Sequence, residues 1–254
     1  SIHDEAVTTN CEIVANHLAY TFVYVFSSRG IPMKKWIPAA ATAAGAYLIA
    51  IAPRLCERPE RMPKVYYAHR GLHDNISDAP ENSLAAFKKA VDAGYGIELD
   101  VQMTADGKVV VVHDFNLKRI SGVDKEIDQC TYEELQDYPI YGSDQRVPLF
   151  EDVLKAVDGK VPLIVELKYK EGSKICEKAQ EILNGYTGVY CIESFHPKVL
   201  VWYRKNYPHI CRGQLSMNFE RDENTKGAQY FALRHLLTNF LAKPDFIAYD
   251  CRAM

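Results

Sequence analysis

Glu98 and Asp100 stand two positions apart in the run Gly-Ile-Glu-Leu-Asp-Val at 96–101. On an extended strand, side chains alternate between faces, so both carboxylates point one way and Leu99 points the other. Carboxylates this close repel unless one is protonated or a cation lies between them. Glu166, at the end of another apolar run, offers a third oxygen donor. An all-oxygen set with no cysteine nearby favours a hard divalent ion, Mg²⁺ or Ca²⁺, over zinc. His69 and His113 also close apolar runs. Histidine titrates near neutral pH, so such a pair can supply the general base and the general acid of one reaction. Arg70 and Lys168 bring fixed positive charge beside the carboxylates. Together with a metal, they could neutralise a phosphate in its transition state. A glycosidase sets two carboxylates astride the scissile bond and has no use for the histidine pair. The pattern therefore favours cleavage of a phosphodiester. The remaining histidines, His3, His17, His73, His196, His209 and His235, are read as structural.

Short β-rich runs alternate with amphipathic stretches, which predicts βαβ units and a parallel sheet. Strands are expected at 65–69, 96–101, 108–113, 161–167, 189–193, 209–215 and 246–250. Asn82 or Ser83 can cap the first helix, with Leu84, Phe87 and Val91 on one face and Gly94 as its stop. Thr131-Tyr-Glu-Glu134 is a capping box. Further helices are expected after Pro148, from Ser173 to Gly185, from Pro197 onward and over 228–243. This rhythm predicts an α/β fold, a TIM-type (β/α) barrel, in which chemistry gathers at the C-terminal ends of strands. The first five expected strands all end in ionisable residues.

These residues, taken together, identify a resemblance. The chain resembles the glycerophosphodiester phosphodiesterase family through His69-Arg70-Gly71, Pro80-Glu81-Asn82-Ser83, Ala86-Phe87, Gly96 to Val101, Asp106-Gly107, His113-Asp114, Pro148-Leu149 and Val165-Glu166-Leu167-Lys168. It continues through Glu193-Ser194-Phe195 and Gly213-Gln214-Leu215. The resemblance covers about residues 64–254. It implies a TIM barrel that hydrolyses glycerophosphodiesters to glycerol 3-phosphate and an alcohol with one divalent cation. By the same resemblance, His69 and His113 are the acid/base pair, and Glu98, Asp100 and Glu166 are the metal ligands. Arg70 and Lys168 become phosphate contacts, and Glu81 a supporting carboxylate. The stretch from Asn116 to Pro148 is expected to hold a small insertion near the mouth.

Seven expected strands fall one short of a closed barrel, and only Cys251 to Met254 follow the last of them. The barrel is therefore expected to lack its final β/α unit. The 254 residues match the size of a full barrel, about 250, only because the N-terminal part differs in character. Residues 36–52 carry no charge, with Lys34 and Lys35 before them and Arg54 after. This run meets the lower limit of a membrane-spanning helix, about 17 residues. A membrane anchor is favoured over a cleaved signal peptide or a soluble helix, and the flanking cations lean toward a cytoplasmic catalytic part. Met33-Lys34-Lys35 resembles a translation start. The expected division is 1–32 as an extension of uncertain origin, 33–55 as the anchor helix, 56–63 as a linker and 64–254 as the barrel domain.

Lysine plus arginine totals 30 against 33 for aspartate plus glutamate, a net charge of −3. No basic nucleic-acid footprint exists in such a chain. The seven cysteines show neither disulfide nor zinc spacing and are read as buried small side chains. Two other functions compete with glycerophosphodiester hydrolysis. An anchored enzyme could cleave lysophospholipids, as a lysophospholipase D does. A chain lacking a barrel unit could instead be an inactive fragment or a headgroup-binding module.

Overall fold

The computed structural model describes residues 37–52, 54, 62–170, 172–217 and 228–249. The expected extension at 1–32 and most of the expected linker lie outside the described residues.

Strand β2 (Gly96–Met103) organises the sheet. Its outward side chains, Ile97, Leu99 and Val101, are fully buried and pack in one core with Phe87 and Ala90. Those two belong to helix α2 (Leu84–Asp92), which starts where Ser83 Oγ accepts a hydrogen bond from the Ala86 amide at 3.1 Å. Full burial of one such side chain is worth roughly 1.5–3 kcal/mol. The inward side chains of β2 are polar: Glu98, Asp100 and Gln102. A strand covered on both faces reads as a near-continuous buried run, and polar residues on its inner face need partners there.

Six strands run parallel in the order β1 (Tyr67–His69), β2, β4 (Leu163–Leu167), β5 (Tyr190–Ser194), β6 (Arg212–Ser216) and β7 (Phe246–Tyr249). All seven expected strands are present. However, β3 (Val109–Val111) pairs antiparallel with β2 and stands off this path. Only residues 104–108 join β2 to β3, whereas a parallel crossover needs a dozen residues or more. The turn closes with the Thr104 amide on the Lys108 carbonyl at 2.9 Å. The result is a curled, TIM-barrel-like parallel sheet. Among the described residues, β1 and β7 pair on one side only.

Helix α5 (Phe150–Val157) packs against α2, and α6 (Lys174–Leu183) and α7 (Pro197–Asn206) continue the outer layer. Between β3 and α5 lies the expected insertion. It holds α3 (Lys118–Ser121), α4 (Tyr132–Leu135) with its Thr131–Glu134 capping box, and two 3-10 turns. It has its own small core of Val110, Leu117, Ile120, Ile127, Leu135, Ile140 and Val147. The single helix expected over 228–243 is instead two, α8 (Ala228–Arg234) and α9 (Asn239–Ala242). Leu236, with φ of 56°, interrupts them.

The apolar run at 36–52 forms α1 (Ile37–Ile51), a helix of 15 residues. At 1.5 Å per residue it spans about 22 Å, short of a hydrocarbon core of about 30 Å. Pro53 follows and disfavours helix at the residue before it. Among the described residues, no helix is long and apolar enough to cross a membrane. Its C-terminal end rests on the barrel. Asn239 Nδ2 donates to the Ile51 carbonyl at 3.2 Å, and the Arg54 amide donates to the Pro244 carbonyl at 2.8 Å. Cys130, Cys176 and Cys191 are buried and Cys211 is half-buried, all as free thiols.

Candidate active site

Register brings the acids together. His69 lies opposite Glu98 across β1 and β2, and Asp100 lies opposite Glu166 across β2 and β4. Glu98, Asp100 and Glu166 are buried, and one oxygen from each lies within 4.8 Å of the others. Lys168 follows directly on β4, with its ammonium 2.9 Å from Asp100 Oδ1 and 2.8 Å from Glu166 Oε1. Two of the three carboxylates, Asp100 and Glu166, thus share one ammonium. Asp100 Oδ1 receives no well-aligned hydrogen bond. An all-oxygen, buried and excess-negative donor set suits a hard divalent cation, so these residues fit the metal that the sequence led us to expect.

The loop after β1 closes over this cluster. Arg70 takes a left-handed φ of 57° and turns its amide onto Glu98 Oε2 at 2.9 Å. Gly71 follows at φ 82°, where an added Cβ would meet the Ala86 backbone at 3.0 Å, so the loop needs glycine there. The Arg70 guanidinium lies 2.9 Å from Glu81 Oε1 and 3.7 Å from Asp100 Oδ2. Asn82 Nδ2 donates to Asp100 Oδ2 at 2.9 Å. His69 Nε2 is 3.9 Å from Glu98 Oε2, with over half of its side chain exposed to the mouth.

His113 follows β3, and Gln102 of β2 fixes its backbone. The Gln102 amide nitrogen lies 2.9, 3.0 and 2.8 Å from the carbonyls of Val112, His113 and Asp114. Asp114 Oδ1 is 2.6 Å from His113 Nδ1. This contact holds the ring and leaves Nε2 for chemistry. Beyond it, a groove of about 580 Å³ is lined by His113, Phe115, Lys118 and Lys168, among others.

Charge follows from these contacts. Burial pushes the Glu98 carboxyl up, and Asp100, Glu193 and Glu166 push it further. Burial also raises Asp100, but Lys168, His113 and the Asn82 amide outweigh it and hold that carboxyl below the ordinary range. Glu166 is pushed up to about 7, chiefly by burial, with Lys168 opposing. Burial lowers His113, which leaves a neutral imidazole able to accept a proton near neutrality. Glu81 is held at about 2: burial would raise it, but Arg119, Arg70 and Asn75 dominate.

All eight residues singled out from the sequence therefore lie on or beside one mouth. Three further groups were missed there. Asp114 and Glu193 were noted only as strand-end acids. Arg119, in the insertion, bridges Asp114 and Glu81, and nothing about its position five residues past Asp114 signalled that reach. Among the histidines read as structural, His196 caps α7 and stacks on Tyr169 with ring centroids 4.0 Å apart.

A TIM-barrel-like sheet with buried acids and a carboxylate-held histidine at its strand ends defines a barrel protein with a candidate metal site. Residues 69–247 match the Glycerophosphoryl diester phosphodiesterase family, and the chain belongs to that family. It is 34% identical over 170 residues to a glycerophosphodiester phosphodiesterase of Bacillus altitudinis, covering 62% of this chain and 68% of that relative. It is 31% identical over 163 residues to the lysophospholipase D GDPD1 of Homo sapiens, covering 59% of this chain and 48% of that protein. A phosphodiesterase of Oleispira antarctica, solved with the product sn-glycerol-3-phosphate, aligns with TM-score 0.56 and 26% identity over 69% of this chain and 72% of that one.

Proposed function

We propose that the chain hydrolyses glycerophosphodiesters to glycerol 3-phosphate and an alcohol, with residues 64–254 as the catalytic unit. The observation that carries this reading is the convergence of the Glu98, Asp100 and Glu166 cluster with two histidines and two cations at one set of strand ends. Glu98, Asp100 and Glu166 would hold the divalent ion, Mg²⁺ or Ca²⁺. When bound, it would supply positive charge against a phosphate. Arg70 and Lys168 add fixed charge beside it, and Glu81 holds Arg70 in place. A glycerol hydroxyl attacks phosphorus while His113, steered by Asp114, takes its proton. His69 protonates the departing alcohol. Water then opens the cyclic ester, and the two histidines recover their starting states.

The test is a hydrolysis assay on glycerophosphocholine with added Mg²⁺ or Ca²⁺. Wild type turns over, EDTA stops it, and His113→Ala lowers kcat by roughly 10²–10⁴-fold, the usual contribution of acid–base catalysis. His69→Ala is spared on an analogue with a p-nitrophenyl leaving group, which needs no proton. Full activity in EDTA or in His113→Ala would refute the proposal.

One observation favours a second substrate class, lysophospholipids. Leu72, Ile76 and Phe115 stand exposed on the loops that follow β1 and β3, at 36%, 96% and 39%. The human relative bears the name of a lysophospholipase D. Lysophosphatidylcholine assayed against glycerophosphocholine separates the two, and equal kcat/KM would count against a lipid preference.

A further inference from the structure

Arg119 touches none of the candidate reacting groups, yet every donor of its side chain is engaged. Its Nε and Nη2 donate to Asp114 Oδ2 and Oδ1 at 2.6 and 3.1 Å. Its Nη1 and Nη2 donate to Glu81 Oε2 and Oε1 at 2.9 and 2.6 Å. Nη1 also meets the Tyr141 hydroxyl. A guanidinium has five N–H donors, and these five contacts use them all. No donor remains for a substrate phosphate.

Each of the two clasped carboxylates has a second task. Asp114 Oδ1 holds His113 Nδ1 at 2.6 Å, and Glu81 Oε1 holds Arg70 Nη1 at 2.9 Å. An unbroken chain of charge-assisted contacts therefore runs His113–Asp114–Arg119–Glu81–Arg70. One end is the candidate base and the other a candidate phosphate contact. Arg119 is its midpoint and sits on α3 of the insertion, between the buried Ile120 and the surface.

We propose that Arg119 is a positioning residue: it locks His113 through Asp114 and Arg70 through Glu81, so that one guanidinium sets the base and the phosphate contact relative to each other. This rests on the hydrolytic reading above. The planar fork is what permits two bidentate clasps at once; a lysine ammonium in its place is a single point charge and cannot make them.

The test uses the full chain, glycerophosphocholine and saturating Mg²⁺ or Ca²⁺. Arg119→Lys keeps the stem and the charge, so its Tm is expected to stay within a few degrees of wild type. Its kcat is expected to fall about 100-fold, the scale at which misplacement by an ångström is felt. Arg119→Gln is expected to lose at least as much. Added to Asp114→Asn, it should cost clearly less than it costs alone, because the arm to His113 is already broken and the effects do not fully add. An unchanged kcat in Arg119→Lys, or full additivity in the double variant, would mean that Arg119 only clips the insertion down and would overturn the proposal. Inactive wild type in this same assay removes the hydrolytic reading itself, and with it the role assigned to Arg119. Active wild type with an indifferent Arg119 removes only the latter.

Discussion

At the scale of single residues, the mouth works by pairing charges that burial would otherwise suppress. Glu81 is the clearest case. It is 5% exposed, yet its carboxyl sits at about 2 instead of the ordinary 4.5, because two guanidinium groups and Asn75 hold its charged form. A carboxyl lowered in the folded state adds stability above its unfolded value, and that stability is lost as pH falls through the folded value. At about 1.4 kcal/mol per pKa unit, Glu81 contributes a few kcal/mol at neutrality, draining away between about pH 4.5 and 2. Urea unfolding at pH 6 and pH 3 should therefore show a smaller pH difference in Glu81→Gln than in wild type. An equal difference in both would show that this pairing does not stabilise the fold.

At the scale of elements, strand alternation and one insertion do the positioning. Strand β2 sends Leu99 into the helical core and Glu98 and Asp100 into the mouth, which is how a single run is both apolar and chemical. The insertion hangs on its own small core, so its packing should be felt in catalysis. Ile120 is 4% exposed beside Arg119. Ile120→Ala should cost roughly 2–5 kcal/mol, as large-to-small core changes do. It should also lower kcat more than it raises KM, since it loosens α3 without touching substrate. A Tm drop with kcat intact would separate the insertion core from the site. These elements were legible to different degrees. The Ser83 cap and the Thr131–Glu134 box stand where their side chains predicted, because caps depend on near neighbours. The antiparallel turn of β3 is legible in the stretch at 104–108, which is too short for the parallel crossover that the general rhythm predicts. The break at Leu236 has no glycine or proline to announce it.

For the whole molecule, the issue is how a buried acidic mouth is tolerated. Glu98, Asp100, Glu166 and Glu193 share one side of the sheet with Lys168, and unpaired buried charge is costly. A divalent ion bound there should stabilise the folded chain by mass action, by about 2.7 kcal/mol at a hundredfold excess over Kd. Thermal melting with Mg²⁺, with Ca²⁺ and with EDTA measures this directly. Asp100→Asn should abolish the metal-dependent rise in Tm, and a rise that survives would place the ion elsewhere. The same experiment bears on β1 and β7, which among the described residues pair on one side only, because one cooperative transition that shifts with metal is the behaviour of a folded site.

The sequence by itself determined the ingredients of the candidate site. Residue types and a two-residue spacing specify an all-oxygen donor set, a histidine pair and flanking cations, since alternation on a strand is a local property. Strand-end placement then follows from the barrel rhythm. Tertiary structure alone decided how those groups are held. It brought Arg119 across from the insertion to clasp Asp114 and Glu81, and laid the apolar helix α1 against the last barrel elements. Each of these depends on contacts between segments far apart in the chain, and a pattern read along one strand or one helix does not contain them.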